Sequence, residues 1–413
     1  MASANTTNQL PLLKRLWGSK VAEPFYKASR FASMINSDTN FGSEGRYVNV
    51  TVAPTAGGSA NFADALASQD ATQEKRFFVT HRKEYQVFSL QGDVIARLKG
   101  NANGLVEAVK QQADKARYAF ARAMARKLWG NGGGALAQIA AAQSLATNVL
   151  TLRTPTDIVG FDVGMQLEFA SDDGSSATPA GRRGGPDRLT VTAVNRGSAS
   201  VAPTVTLSGN LNTVSGITVN DYVFRRGDYS LAMTGMRGWN PIATPTTGDS
   251  FFGLDRSVSD PVRLSGARIV GGGKPKEESL IDATAEAQIN GIDLKQCFVN
   301  PLDYRDLVKE MGSKREIQIT AKQAGMGFNA LEVYGATGTL QIVSEVDVPR
   351  GYGWAVDTDQ ITLRTAGDCP MMLNEDGVGK LLRAYDDDAY QGRIGAYGNL
   401  FQDNPGNAMI ISW

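Results

Sequence analysis

The sequence predicts an α+β chain in which a small all-β unit interrupts a body of mixed helices and strands. Three observations carry that prediction. A helical stripe of apolar residues runs on from Leu105 for about 25 residues. Period-two alternation appears at Tyr47-Val48-Asn49-Val50-Thr51-Val52. Residues 150–228 are poor in Lys and dense in Thr, Val, Gly and Ser, with short alternating runs between turn signals. At 413 residues and 42% apolar content, the chain has room for several buried cores, as a prior roughly two or three domains.

Residues 10–34 set Leu12, Leu13, Leu16, Trp17, Phe25, Tyr26 and Phe31 against Lys14, Arg15, Lys20, Lys27 and Arg30, punctuated by Pro11 and Pro24. They read as an amphipathic arm. The arm either packs on its own domain or reaches a neighbouring subunit, since chain ends are loose unless tied down. The strand at 47–52 and a second, longer strand-like run at 77–90 bracket a Gly/Ala/Ser-rich loop at 54–59 and a polar stretch to Glu74. Together they make a long hairpin-like excursion. Its tip lacks the apolar density for a core of its own and is expected to find partner surface on another chain.

Gly100 and Gly104 close that region, and the long helix follows. Leu105, Val109, Ala113, Ala116, Phe120, Met124 and Leu128 recur in steps of three or four along one face. Glu107, Lys110, Asp114, Lys115, Arg122 and Arg126 occupy the other side, and the glycine-rich Gly130-Asn131-Gly132-Gly133-Gly134 ends the helix. A rise of about 1.5 Å per residue gives roughly 37 Å, long enough for a spine across a flat domain. The alanine-rich residues 135–146 are read as helical. Within 150–228, the runs Met165-Gln166-Leu167-Glu168-Phe169, Leu189-Thr190-Val191-Thr192-Ala193-Val194, Val205-Thr206-Leu207 and Tyr222-Val223-Phe224 predict a small sandwich or barrel. A unit of about 80 residues folds alone only marginally. Residues 171–187, with Asp172, Asp173, Arg182 and Arg183 among Gly and Pro, read as its mobile loop.

After Asp228 the chain turns α+β again. Thr284 begins the visible part of a helix, and Cys297-Phe298-Val299 reads as a buried strand. Asn300-Pro301-Leu302-Asp303 opens a helix, with Asn at the cap, Pro in the first turn and an acid near the positive end. Strand-like runs follow at 340–344, 353–356 and 361–365, and Ala408-Met409-Ile410-Ile411 suits a last buried strand.

Lys plus Arg equals Asp plus Glu, 42 of each, so the chain lacks the basic excess of a protein built to grip nucleic acid. One histidine, His81, excludes chemistry that needs two or three. Cys297 and Cys369 match no metal-ligand spacing, and a disulfide between them stays open. No transmembrane stretch is present, and residues 1–9 lack the apolar core of a signal peptide, so synthesis inside the cell is expected.

Four candidate sites each have a competing ordinary reading. Gly271-Gly272-Gly273-Lys274-Pro275 superficially resembles a phosphate loop, but lacks the required spacing and loses a backbone donor at Pro275; a flexible loop is the alternative. Asp386-Asp387-Asp388, with Glu375 and Asp376, offers oxygen ligands for a divalent cation or a solvated subunit-contact face. His81 would have to serve any catalytic dyad, yet no Gly-x-Ser-x-Gly elbow appears; a solvated strand histidine is the ordinary reading. Lys110, Lys115, Arg117, Arg122, Arg126 and Lys127 face DNA weakly or form the ion-paired, solvated side of the helix. No catalytic, cofactor or metal residue is assigned, and no enzymatic activity is expected.

The order of elements, together with three short segments, resembles the tailed-phage coat proteins of the Hong Kong phage type. The segments are Phe298-Val299-Asn300-Pro301-Leu302-Asp303-Tyr304; residues 335–349 running into Gly353-Trp354-Ala355-Val356-Asp357; and Tyr397-Gly398-Asn399-Leu400 followed by Asn404-Pro405-Gly406-Asn407. The resemblance implies an N-terminal arm at 1–40, an extended two-stranded loop at 41–98, a peripheral domain with spine helix at 99–149 and an inserted β-domain at 150–228. An axial domain at 229–399 and a return strand of the peripheral domain at 400–413 complete it. It further implies a major capsid protein that self-assembles through pentamers and hexamers into an icosahedral head shell around the phage genome. The implied partners are a separate scaffolding protein, because no long scaffolding region precedes the arm, a portal protein and weakly held packaged DNA. A decoration protein remains open, no membrane is involved, and assembly would occur in the host cytoplasm. A nanocompartment shell and a phage tail component are the competing readings.

Overall fold

The long strand Ala389–Gln402 organises the first of three six-stranded sheets among the described residues. The structure is a computed structural model. It describes residues 29–42, 44–92, 102–176, 178–184, 188–197, 201–311, 331–373, 381–383 and 388–413. On one side the long strand pairs with Arg82–Gln91 over its length, from Ala389 opposite Gln91 to Gly398 opposite Arg82. On the other it pairs with Ile361–Thr365, Met371–Met372 and Leu381–Arg383, and Asn36–Asp38 adds a parallel edge. The long helix, Ala102–Lys127, packs on this sheet. Its stripe residues Ala113, Ala116, Phe120 and Met124 are buried, as their spacing predicts. The helix begins before Gly104, so that glycine lies inside it rather than ahead of it.

The second sheet runs Ala267–Val270, Ala408–Ser412, Tyr352–Val356, Gln296–Val299, Gly338–Ser344, Leu331–Gly335 in spatial order. Both of its faces are covered, which explains unbroken apolar runs where a half-solvated strand would alternate. Phe298, Trp354 and Ile410 point into the core shared with the long helix. Cys297, Ala355 and Ile411 point to the opposite core, under the helices Lys276–Ile289 and Pro301–Met311. The second of these starts as its sequence predicts: Asn300 Oδ1 accepts from the Leu302 amide at 3.1 Å, and Asn300 Nδ2 donates to the Val348 carbonyl at 2.9 Å. The boundary expected at 399/400 is not a sheet boundary. Residues 229–399 are shared between both sheets, and Ala408–Ser412 inserts between Ala267–Val270 and Tyr352–Val356.

The third sheet has its own core of Leu150, Phe161, Leu167, Phe169, Val205 and Val223. Here an expectation fails. Residues 135–146, read as helical, supply the strand Ala135–Gln138 and turns, because Ala135–Gln138 is the edge partner of Tyr222–Arg225. Alanine favours helix by only some tenths of a kcal/mol over most residues, roughly 0.7 at most for ordinary ones, and a ladder of tertiary hydrogen bonds overrides that. The glycines ahead of it also set its path. Gly134 has φ +88°, and a Cβ on Gly133 would sit 1.9 Å from the Asp173 carbonyl oxygen. The 171–187 stretch, expected to be a mobile loop, is pinned where it is described: Asn131 holds Asp173 at 2.7 Å, Tyr229 donates to Asp172 at 2.9 Å, and Arg183 pairs with Asp221 at 2.9 Å.

The run at 77–90, expected as one strand, is two. Gln73–Thr80 pairs with Gly45–Ala53 in a two-stranded sheet, while Arg82–Gln91 joins the long strand. The change of partner falls at His81. Asn399, fully buried, fixes the pivot. Its Nδ2 donates to the Thr80 carbonyl and its Oδ1 accepts from the Thr234 amide, both at 3.0 Å.

Candidate functional site

The hairpin Gly45–Ala53/Gln73–Thr80 has two unlike faces. Alternation places Val48, Val50, Val52, Phe77 and Val79 inward, where Phe77 meets Trp239 edge-on at 5.4 Å. The same alternation turns Tyr47 and Phe78 outward, in contact at 5.0 Å. Beyond the ladder, a short tip helix, Phe62–Ala67, is capped by Asn61 and contains no buried residue. Phe62 is 80% exposed and Leu66 57% exposed. They stand four apart on one helical face. Covering either would release about 1.5–3 kcal/mol of hydrophobic free energy. Among the described residues, none does so. An apolar pair on a protruding, acid-bearing tip (Asp64, Asp70) is therefore a surface that association with another body would complete.

The base of the hairpin is tied to the body by a buried charge network. Lys127, in the last turn of the long helix, pairs with Glu84 of the strand Arg82–Gln91 and with Asp228 at 3.1 Å. Arg225, from the third sheet, pairs with Glu84 and, at 3.1 Å, with Asp228. Burial opposes the charge on Arg225, but Glu84 and Asp228 outweigh it and hold its pKa above the usual arginine value. The network joins helix, first sheet and third sheet at one point. Apart from Arg225 and Asp228, three residues apart, its members are distant in sequence, and nothing in their spacing announces the network.

The described basic positions of the long helix do not form one face, so the solvated, ion-paired side expected of them holds for Arg117 and Lys115 but not for Arg122, Arg126 and Lys127. Lys127 is in the network, Arg117 pairs with Asp114 at 2.9 Å, and Arg122 and Arg126 line a partly open cavity. Lys115 remains exposed, and the side chain of Lys110 lies outside the described residues. His81 is also not a solvated strand residue. Its Nε2 lies 2.7 Å from the Phe41 carbonyl oxygen, and its ring stacks on Phe41 at 3.8 Å. In the glycine-rich loop, Lys274 is held by Asp282 at 2.7 Å, and Glu310 accepts from the Lys276 amide at 2.8 Å, so carboxylates already occupy the place a phosphate would take. Glu375, Asp376, Asp386 and Asp387 lie outside the described residues, as do residues 1–28 of the arm. The described end of the arm packs on its own chain: Phe31 meets Trp129 at 4.9 Å, and Ser29 and the Phe31 amide donate to Glu345. Among the described residues, no group of three or more His, Cys, Asp or Glu is placed to hold a metal, and no helix is long and apolar enough to cross a membrane.

Cys297 and Cys369 are free and lie in different cores. Burial pushes both thiols up to about 12. At pH 8 the thiolate fraction is then on the order of one in ten thousand. Iodoacetamide at pH 8 is expected to leave both cysteines unmodified in the native protein and to alkylate both in urea. Mass spectrometry reads the result, and native labelling at the rate of a free thiol would contradict the burial.

No protein-family model matches the sequence, and no curated protein does. Solved structures do match in shape. The chain superposes on a subunit of the cyanophage A-1(L) capsid asymmetric unit with a TM-score of 0.51 and 11% identity, covering 92% of this chain and 90% of that one. A capsid chain of the native GTA particle matches with a TM-score of 0.43 at 10% identity, covering 92% and 89%. A chain of Mycobacterium phage Ogopogo matches with 0.42 at 10% identity, covering 92% and 91%. The first likeness establishes the fold: this is the fold of a phage capsid subunit.

Proposed function

We propose that the chain is a major capsid protein of a tailed bacteriophage of the Hong Kong phage type, a structural subunit that self-assembles into the icosahedral shell enclosing the genome. The observation that carries the reading is the shared fold with the cyanophage capsid subunit over nearly the whole of both chains. The unpartnered apolar tip of the hairpin supports it, because a shell subunit needs complementary surface that only its copies supply. The absence of net charge fits hundreds of copies packed side by side.

In this reading the extended loop is the hairpin of residues 45–80, with Arg82–Gln91 already part of the body. The long helix is the spine. The inserted β-domain begins at Ala135, and the second sheet with its two helices meets its copies around the symmetry axes of pentamers and hexamers. A scaffolding protein and a portal protein act in assembly, and packaged DNA touches the inner wall without sequence preference. The protein works as a wall and carries out no catalysis. Many weak, identical contacts make such a wall correctable during growth and persistent once closed.

Electron microscopy of the purified chain, expressed alone and with the scaffolding protein of its own genome, tests the proposal. Closed icosahedral particles are expected in at least one condition. Open tubes or rings in both would make it a tail component. Closed particles that hold an enzyme and no DNA in their native source would make it a nanocompartment shell.

A further inference from the structure

Where the long helix, the third sheet and residues 346–352 meet, they surround a cavity of about 600 Å³. Its arginines face Asp157 and Asp347 across the cavity without forming close ion pairs. Arg122, Arg237 and Arg350 line it without an ion pair or side-chain hydrogen bond among the described residues. Arg126 is anchored from one side only: its Nη2 donates to the Leu136 carbonyl at 2.8 Å and the Asp157 carbonyl at 3.4 Å. Its Nη1 is sealed from solvent and has no acceptor. The fit is close, since a Cβ on Gly160 would overlap that nitrogen. Asp157 and Asp347 share the cavity, also without ion pairs, while Asp173 is already taken by Asn131 and Ser175.

Guanidiniums and carboxylates answer such burial differently. Burial raises the pKa of both Asp157 and Asp347, and the neighbouring guanidiniums of Arg122, Arg126 and Arg237 oppose that rise. An arginine stays charged even where burial lowers its pKa, as it does for Arg126 and Arg237. Four guanidiniums, those of Arg122, Arg126, Arg237 and Arg350, thus share the cavity with two carboxylates outside any ion pair, so the deficit is one of negative charge and of hydrogen-bond acceptors. A water molecule supplies an acceptor but no charge. A multivalent oxyanion supplies both, and the planar fork of arginine matches its oxygens.

We propose that this cavity is a binding site for a small multivalent oxyanion of the phosphate type, held by Arg122, Arg126 and Arg237. Bound there, the anion bridges the long helix and the helical turn Met236–Trp239, and through Arg126, which also holds the Leu136 carbonyl of the third sheet, stiffens the joint between the inserted sheet and the body. The site is internal to one chain and stands apart from the shell reading.

The test uses the full-length chain as unassembled subunits, exchanged into chloride buffer at constant ionic strength, with the melting temperature followed against inorganic phosphate. A saturable rise is expected, on the order of 5 °C at a hundredfold excess over Kd. Arg126→Gln and Arg237→Gln should each weaken the apparent affinity by roughly tenfold or more, the factor that about 1.4 kcal/mol represents. Lys115→Gln, on the exposed side of the same helix, should leave it unchanged. If either cavity variant fails to fold, Arg122→Gln is read in its place, with the same tenfold expectation. A shift that never saturates, or one that all variants share, is a general salt effect and overturns the proposal. So does stabilisation by a short DNA duplex with none by phosphate, which would mark a surface for the nucleic-acid backbone instead.

Discussion

Replacing residues 57–69 with a two-residue Asn-Gly turn yields a folded subunit that no longer forms closed particles. The fold should survive for a geometric reason. Ala56 and Asp70 already face each other in a β-bridge, so a two-residue turn recloses the hairpin where its ladder ends. The removed segment contains the tip helix, none of whose residues is buried. The inward row of Val48, Val50, Phe77 and Val79 keeps its contacts with the body. Assembly should fail because Phe62 and Leu66 leave with the tip. Losing about 1.4 kcal/mol at one contact is tenfold in affinity, and in a closed shell that loss recurs at every subunit. Particle yield by electron microscopy and gel filtration is expected to fall by roughly two orders of magnitude or more. The far-ultraviolet spectrum and melting temperature should stay close to those of the parent. Normal particle yield from the shortened chain would remove the tip from the assembly contact.

Lys127→Ala is expected to cost about 3–5 kcal/mol of unfolding free energy, because it leaves two buried carboxylates with one guanidinium between them. Lys127 is the one buried lysine among the described residues, and Glu84 and Asp228 around it are buried as well. A surface ion pair would be worth about 0–1 kcal/mol, so the size of the effect tests the burial directly. The double variant Lys127→Met with Glu84→Gln removes the charges together. Its cost should fall short of the sum of the two single changes, since neither partner is left stranded. Urea unfolding of the four species gives the cycle. A Lys127→Ala penalty below about 0.5 kcal/mol would mean that water reaches the network. Because Arg225 and Asp228 sit at the end of the third sheet, the same cycle measures how firmly the inserted sheet is fastened to the long helix and the strand Arg82–Gln91.

Several elements were legible before any coordinates. The alternation at 47–52 predicted a half-buried strand, the stripe from Leu105 to Leu128 predicted the long helix, and Asn300-Pro301 predicted the start of the helix Pro301–Met311. Each depends on neighbours a few residues away, where period and capping chemistry act. The split of 77–90 was not legible, because nothing local names the partner strand on either side of His81, where the buried positions pass from odd (Phe77, Val79) to even (Glu84, Phe88, Leu90). The strand at Ala135–Gln138 was hidden for the opposite reason, as local alanine content argued for the wrong element.

The candidate sites divide in the same way. The exposed tip was partly legible, since a protruding stretch without apolar density must find its partner surface elsewhere. The helix arginines looked like a solvated face because helical periodicity separates one side from another but cannot say what packs against each side. The sequence by itself determined the long helix, the strand at 47–52, the helix start at Asn300-Pro301 and the composition, with its balanced charge and single histidine. Only the tertiary structure decided which strands pair, that Glu84, Lys127, Arg225 and Asp228 form one network, and that Arg122, Arg126 and Arg237 share a cavity. The physical reason is range. Backbone preference and amphipathic period act within a turn or two, whereas ion pairs and sheet ladders join residues that folding alone brings together.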